Sequence, residues 1–388
     1  MISAERYRER QRQVFGLLQS SGADCALIVD FEGLRNRSVR YLCGQPNDAA
    51  LFLFARGESL LVAWDLSMAE RMATADRLLP YETYHRALGE AIRQVFGGSG
   101  VRRGELSSAL PYPLVQELSS ELPQVQLSCR RGGIDSQLAE MRAVKDAQEM
   151  KLIRQACRIT DQLLGELPGF LAGDRPRRRN GSGRGRPVSE AELALFLEGE
   201  ARARGAEGMG FETLAASPGR SFGIHCHPAF TTETFLGEGF SILDFGVSYG
   251  GYTSDVTVTF CGGPLGGPRQ AMKEAVEEAY GLAMSLVRPG VPAPAIGQQV
   301  AASLRRRGYP LPHGLGHGIG LDAHEAPSFR DVPGEPEGGR PLQPGMVLAI
   351  EPAAYDPQHG GIRLENDAVC TEGGVEWLTS SRIMITEG

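Results

Sequence analysis

His313-Gly314-Leu315-Gly316-His317-Gly318-Ile319-Gly320, closed by Leu321-Asp322-Ala323-His324-Glu325, holds three of the seven histidines of this 388-residue chain. Four glycines in eight residues argue against a helix, so His313 and His317 are not the i, i+4 pair of a helical zinc motif. The run reads as a tight extended segment. Glycine there lets the backbone approach a ligand, and the histidines project from it. No helix pattern follows the glycines, which removes a dinucleotide fingerprint. The run gains its meaning from four acids: Asp244 and Asp255 upstream, Glu351 and Glu365 downstream.

Those acids sit in strand-like surroundings. Ser241–Val247 and Tyr252–Thr259 flank Gly250-Gly251, a hairpin signal. With that turn Gly246 faces Asp255, and Asp244 lies two residues along on the same side. Diagonal neighbours of this kind are roughly 7–8 Å apart at Cα, close enough for both carboxylates to reach one ion. Met346–Pro352 reads as a buried strand ending in the Glu351 carboxylate. Gly361–Val369 reads as a second, with Glu365 in its middle, a poor place for glutamate. Arg363 shares that face and offers an ion pair, but a metal accounts for all four acids at once. Four carboxylates in one pocket repel unless cations offset them. Oxygen-rich ligation with one imidazole suits Mn, Co or Zn.

Further out, the length predicts two domains, read as 1–135 and 136–388, the first an α/β unit by its strand–helix rhythm. The first would open on a helix over residues 5–20 that ends near Gly22. Strands follow at Ala26–Val29, Arg40–Gly44, Ala50–Phe54 and Ser59–Trp64. It holds no cluster of catalytic residue types and reads as a scaffold. The second would start with one long helix, Leu138–Leu164, then a solvated loop, Asp174–Pro187, carrying six arginines. A capping box at Ser189 and Glu192 starts a helix over Glu190–Ala203; others are expected at Arg269–Leu286 and Ile296–Arg306.

With 41% hydrophobic and 22% charged residues the chain is globular, and a net charge of −7 argues against a general nucleic-acid binder. No apolar run reaches membrane-spanning length, and the polar N-terminus shows no signal peptide. Seven cysteines without a C-x-x-C pair suggest reduced thiols and a cytoplasmic address. His85 and His359 stand alone, and Cys226 reads as a small packed residue.

The order Asp, Asp, His, Glu, Glu resembles the metallopeptidase family of Xaa-Pro aminopeptidases, prolidases and methionine aminopeptidases, which share the pita-bread fold. Leu243-Asp244-Phe245-Gly246, Gly251-Tyr252-Thr253-Ser254-Asp255, Gly316-His317-Gly318-Ile319-Gly320, Ile350-Glu351-Pro352 and Arg363-Leu364-Glu365 carry the resemblance, over about residues 138–388. Tyr41-Leu42-Cys43-Gly44 adds a modest signature of the extra domain found in the Xaa-Pro and creatinase branch. The resemblance implies an α/β N-terminal domain plus an α+β pita-bread catalytic domain, and two divalent ions, Mn foremost, on Asp244, Asp255, His317, Glu351 and Glu365.

It also implies a homodimer acting on short peptides with proline second, with no nucleic acid or membrane partner. The expected activity is that of an Xaa-Pro aminopeptidase; the alternatives are an Xaa-Pro dipeptidase or a creatinase-like hydrolase of a small C–N compound. Glu351 would take the proton of the attacking water and His324 would hydrogen-bond the oxyanion. His225 and His313 would place the substrate, and Arg363 would orient a carboxylate. His225, eight residues after Ser217, matches the upstream histidine; His227 competes for that position, and spacing does not separate them. Val258 and Asn366 depart from the arginine and aspartate frequent in relatives. The loop before the Glu351 strand offers Glu335 and Glu337, with Arg330 and Arg340 as substitutes for the carboxylate-clamping arginine of prolidases.

Overall fold

A computed structural model describes residues 1–130, 132–173, 187–331 and 339–386, in two compact units, Met1–Arg142 and Ala143–Gly388. The arginine-rich run from 174 to 186, together with Glu335 and Glu337, lies outside the described residues. Among those described, no helix is long and apolar enough to cross a membrane.

The smaller unit is built on a six-stranded mixed sheet in the order Arg77–Pro80, Glu58–Ala63, Ala49–Phe54, Cys25–Asp30, Arg103–Leu106, Gln126–Ser128. Alternation decides its faces. Cys25, Leu27 and Val29 join Phe52, Phe54 and Val62 in one apolar cluster, with Ile92, Val95 and Phe96 of the helix Leu88–Gly98. The opening helix, Ala4–Ser21, starts on the Ser3 hydroxyl and ends at left-handed Gly22. Arg40–Gly44, expected as a strand, belongs instead to a helix, Ser38–Cys43. Asn36 Oδ1 accepts the Ser38 N–H at 3.0 Å, and Gly44 closes the helix with φ of 85°. Capping at both ends outweighs the strand preference of Val39 and Tyr41.

The helix expected over Leu138–Leu164 is two, Ile134–Ala143 and Ala147–Leu171. Asp146 starts the second: its carboxylate accepts the Gln148 and Glu149 N–H groups, and Glu149 returns to the Asp146 N–H. This reciprocal cap fixes a helix start where apolar spacing alone showed continuity. The Ser189–Glu192 box forms as expected and begins Glu190–Ala203.

Two sheets of the larger unit matter for the site. One has four strands, in the order Met384–Thr386, Val256–Gly262, Gly239–Phe245, Leu214–Ala216. Its Phe245, Val256, Val258 and Phe260 pack with Ile159 and Leu163 of the long helix and with Leu193 and Leu197. The other has five, in the order Glu325–Ser328, Gly316–Gly318, Val347–Ile350, Asn366–Thr371, Gly374–Trp377. Its Leu348 and Ile350 pack with the helices Pro268–Leu286 and Ala293–Arg306. A lone bridge between Thr257 and Glu365 joins the two sheets.

The hairpin register holds: Phe245 faces Val256, Asp244 faces Thr257, and Tyr249 faces Tyr252 across the glycine turn. The ladder is interrupted at Gly246 and Asp255, however, so its tip joins a separate three-stranded sheet with Gly208–Met209. Gly361–Val369 is likewise two strands, Gly360–Arg363 and Asn366–Thr371, in different sheets. Glu365 sits in the break, which removes the conflict between glutamate and a strand interior.

Candidate metal centre

The five expected ligands converge where these sheets meet. Asp244 lies in one strand, Asp255 just before its partner, His317 in the glycine-rich strand, Glu351 just past Val347–Ile350, and Glu365 in the break. Asp255, His317 and Glu365 each offer a ligand atom, all within 4.8 Å of one another. Nε2 of His317 is 3.7 Å from Asp255 Oδ2 and 3.9 Å from Glu351 Oε1. The neighbouring glycines explain themselves. A Cβ at Gly316 would strike the Ala349 carbonyl oxygen, and one at Gly318 the Ala326 carbonyl oxygen, so only glycine lets this strand lie between its neighbours.

Charge is the outstanding property of the cage. Burial, then Glu365 and Asp244, push the Asp255 carboxyl well above its usual range. Burial and Glu365 do the same to Glu351, and burial with Asp244 lifts Glu365 to about 7. Burial raises Asp244 as well, against the pull of Arg363. Arg363, 2% exposed, supplies the opposing charge. Its guanidinium contacts Asp244 Oδ2, lies 3.9 Å from Glu365 Oε2, and donates to Thr257 Oγ1 at 2.8 Å. One cation against four carboxylates leaves the cage strongly negative.

The donor set fits divalent metal ions on two further counts. Asp244 Oδ1 is buried and has no hydrogen-bond partner among the described residues. His317 Nδ1 lies 3.1 Å from the Gly318 carbonyl oxygen and so carries the proton, which leaves the Nε2 lone pair facing the acids. Burial holds the His317 pKa down at about 4, keeping the ring neutral as a ligand must be.

The remaining histidines lie to one side of this cage. The His324 ring centroid is 4.1 Å from that of His317. His313 Nδ1 lies 2.7 Å from the Gly314 carbonyl oxygen, and its Nε2 lies 3.1 Å from the Tyr355 hydroxyl, which in turn accepts from Arg363 at 3.0 Å. Burial and then Arg363 lower the His313 pKa to about 4. His225 is exposed and lies close enough to Asp244, His313 and His324 to interact with them electrostatically.

Several participants escaped the sequence reading. Tyr355 links His313 to Arg363 and carries no pattern that announces it. Thr257 Oγ1 donates to Glu365 Oε2 at 2.6 Å; it stands two residues after Asp255 in a segment already singled out. Asp367 Oδ2 accepts the Asp255 backbone N–H at 2.8 Å, steadying a ligand from behind. Lys145, 1% exposed, pairs at 3.1 Å with Glu325, the residue after His324. Asn366, a departure from the usual aspartate, donates through Nδ2 to Tyr280 Oη at 2.8 Å and to the Ser381 carbonyl at 3.1 Å. A carboxylate there has no hydrogen to give.

Residues 151–372 match the family model for metallopeptidase family M24. The chain belongs to that family. As an M24 chain it is 26% identical over 380 residues to the Xaa-Pro dipeptidase of Pyrococcus horikoshii, covering 96% of this chain and 97% of that one. Its fold is similar to the crystal structure of a prolidase from Pyrococcus horikoshii, with TM-score 0.81 at 24% identity over 97% and 99% of the two chains. It is also similar to an X-Pro aminopeptidase from Thermotoga maritima, with TM-score 0.79 at 25% identity over 97% and 99%. The full-length likeness bears out an α/β N-terminal domain with a mixed sheet followed by a pita-bread catalytic domain.

Proposed function

We propose that this M24 metallopeptidase is an Xaa-Pro aminopeptidase, which hydrolyses the bond between an N-terminal residue and proline in short peptides. The carrying observation is the convergence of Asp244, Asp255, His317, Glu351 and Glu365, with the His313 imidazole, its pKa lowered to about 4, beside them. These five residues would hold two divalent ions, Mn foremost, which acidify a water towards neutrality and polarise the scissile carbonyl. Glu351 is the base: its carboxylate, beside the bound ions, accepts the water's proton and passes it to the leaving proline nitrogen. His324 donates a hydrogen bond to the developing oxyanion. Tyr355 and Arg363 hold His313 in one orientation, and His313 and His225 place the substrate. A cytoplasmic address fits seven unpaired cysteines.

The test is release of the first residue from a tripeptide with proline second, abolished by exhaustive chelation and restored by Mn. Undiminished activity after chelation rules the reading out. One observation favours the dipeptidase alternative: the Arg330 guanidinium lies over Gly314, and its charge acts on His313 and Glu351. From there it could meet the free carboxylate of a dipeptide. Comparing an Xaa-Pro dipeptide with its C-terminal amide, in wild type and Arg330→Ala, separates the readings. A dipeptidase prefers the free acid and loses that preference with the arginine.

A further inference from the structure

The segment that carries His225, residues 217–231, contains no helix or strand. What holds it in place lies outside the metal cage. We propose that Glu190 is the positioning residue for His225, an inference that rests on the peptidase reading given above.

Glu190 is fully buried in the first turn of the helix Glu190–Ala203. Its carboxylate is saturated by both ends of the segment. Oε1 accepts the Ser217 N–H at 2.7 Å; Oε2 accepts the Thr231 N–H and hydroxyl, each at 2.7 Å, and contacts the Arg220 guanidinium. Arg220 also donates to the Pro228 carbonyl oxygen, so one part-buried ion pair ties the beginning, the interior and the end of the segment together. The Arg220 carbonyl in turn accepts from the Gly223 N–H at 3.0 Å and from Cys226 Sγ at 2.8 Å, shaping the turn on which His225 sits. The far side of that turn reaches the cage, where Arg363 donates to the Ile224 carbonyl at 3.2 Å. His225 is therefore placed by two guanidinium–carboxylate contacts, Arg220 with Glu190 behind it and Arg363 with Asp244 in front.

Glutamine at position 190 keeps the size but not the function. An amide offers one acceptor oxygen and an NH2 group, and the NH2 must face either a backbone N–H or a guanidinium, all donors. It also removes the carboxylate partner of the part-buried Arg220 guanidinium. The helix start survives, because backbone bonds Glu190 N–H to Glu233 O and Ala191 N–H to Thr231 O, both 2.9 Å, do not use the side chain. Thr231→Val is the gentler variant, removing the hydroxyl that donates to Glu190 and accepts the Glu233 N–H at 3.1 Å while keeping the Thr231 backbone bond.

The experiment uses the full-length, Mn-loaded chain. Glu190→Gln is expected to leave Mn content unchanged and to lower kcat/KM for an Xaa-Pro peptide by on the order of a hundredfold, the effect of misplacing a reacting group. Thr231→Val should act in the same direction, a few-fold. In a His225→Ala background neither should cost more, because the two residues then act through one step. An equal fall in that background overturns the proposal, since Glu190 would then be supporting something else. Amide exchange over residues 220–226 supplies a readout independent of substrate: it should quicken in Glu190→Gln. Unchanged exchange sinks the proposal whichever peptide the enzyme cleaves, whereas a wild type that cleaves no Xaa-Pro peptide sinks the peptidase reading alone.

Discussion

The site has two sides built on opposite plans. The expected ligand side is delivered by strands or by residues at strand ends, with Asp255 and Glu365 buried, Asp244 and Glu351 partly so, and all four mutually repelling and braced by backbone ladders. The histidine side is delivered by irregular chain, 217–231 and the residues flanking the short strand Gly316–Gly318, each fastened by an acid paired with a cation: Glu190 with Arg220, Glu325 with Lys145. Concentrating charge needs a stiff frame, because like charges drive an elastic one apart. Meeting a peptide needs surface and reach, which loops supply when something anchors them. The difference predicts that changes on the ligand side alter metal content, whereas changes on the histidine side alter turnover at constant metal.

Asp255→Asn tests the first half most severely. Activity should fall by more than about a hundredfold, beyond the range of an outer-sphere change, with Mn uptake lost in parallel. Full Mn content by elemental analysis in that variant would break the comparison. His324→Ala tests the other half: kcat should fall about 10²–10³-fold, the cost of an oxyanion donor, with Mn content unchanged. Asp367→Asn sharpens the boundary, since its Oδ2 accepts the Asp255 N–H and the Cys157 thiol and touches no other expected ligand; a roughly 10–100-fold loss of Mn affinity by titration calorimetry is expected, with little change in kcat once saturated.

The pH dependence of the metal-free protein is a smaller effect with a definite sign. Glu365 rises from 4.5 to about 7 on folding, so between those values the folded chain binds more protons than the unfolded one. That contribution to stability is present below about 4.5 and is lost as pH rises through 7. Tm of the metal-free chain should therefore drop by a few degrees across this window, and Mn should remove the slope. The smallest change is Asn366→Asp, which forfeits two donated hydrogen bonds and should cost about 1–3 kcal/mol in urea melts, with metal content intact.

Legibility followed the same division. The Gly250-Gly251 turn fixes the register of Asp244 against Thr257 locally, so the ligand side could be read from spacing. The glycines beside His317 suggest room for a ligand, whereas the groups a Cβ there would strike are carbonyls of the neighbouring strands. The sheet changes at Gly246 and at Leu364 were hidden, because Asn366–Thr371 chooses Val347–Ile350 as its partner through packing that no local pattern encodes. The histidine side was least legible. Lys145 and Glu325 lie 180 residues apart, and Tyr355 is an ordinary strand residue until Arg363 and His313 close on it.

Between Arg363 and Glu365 the chain leaves a two-stranded sheet and enters a five-stranded one, while Thr257 reaches across from a third. Whatever occupies the cage is consequently gripped by several independently hydrogen-bonded layers at once. On the proposed reading, capturing an ion and clamping those layers would be one thermodynamic event, so a cation held there would act as a rivet against prying the layers apart by heat or denaturant.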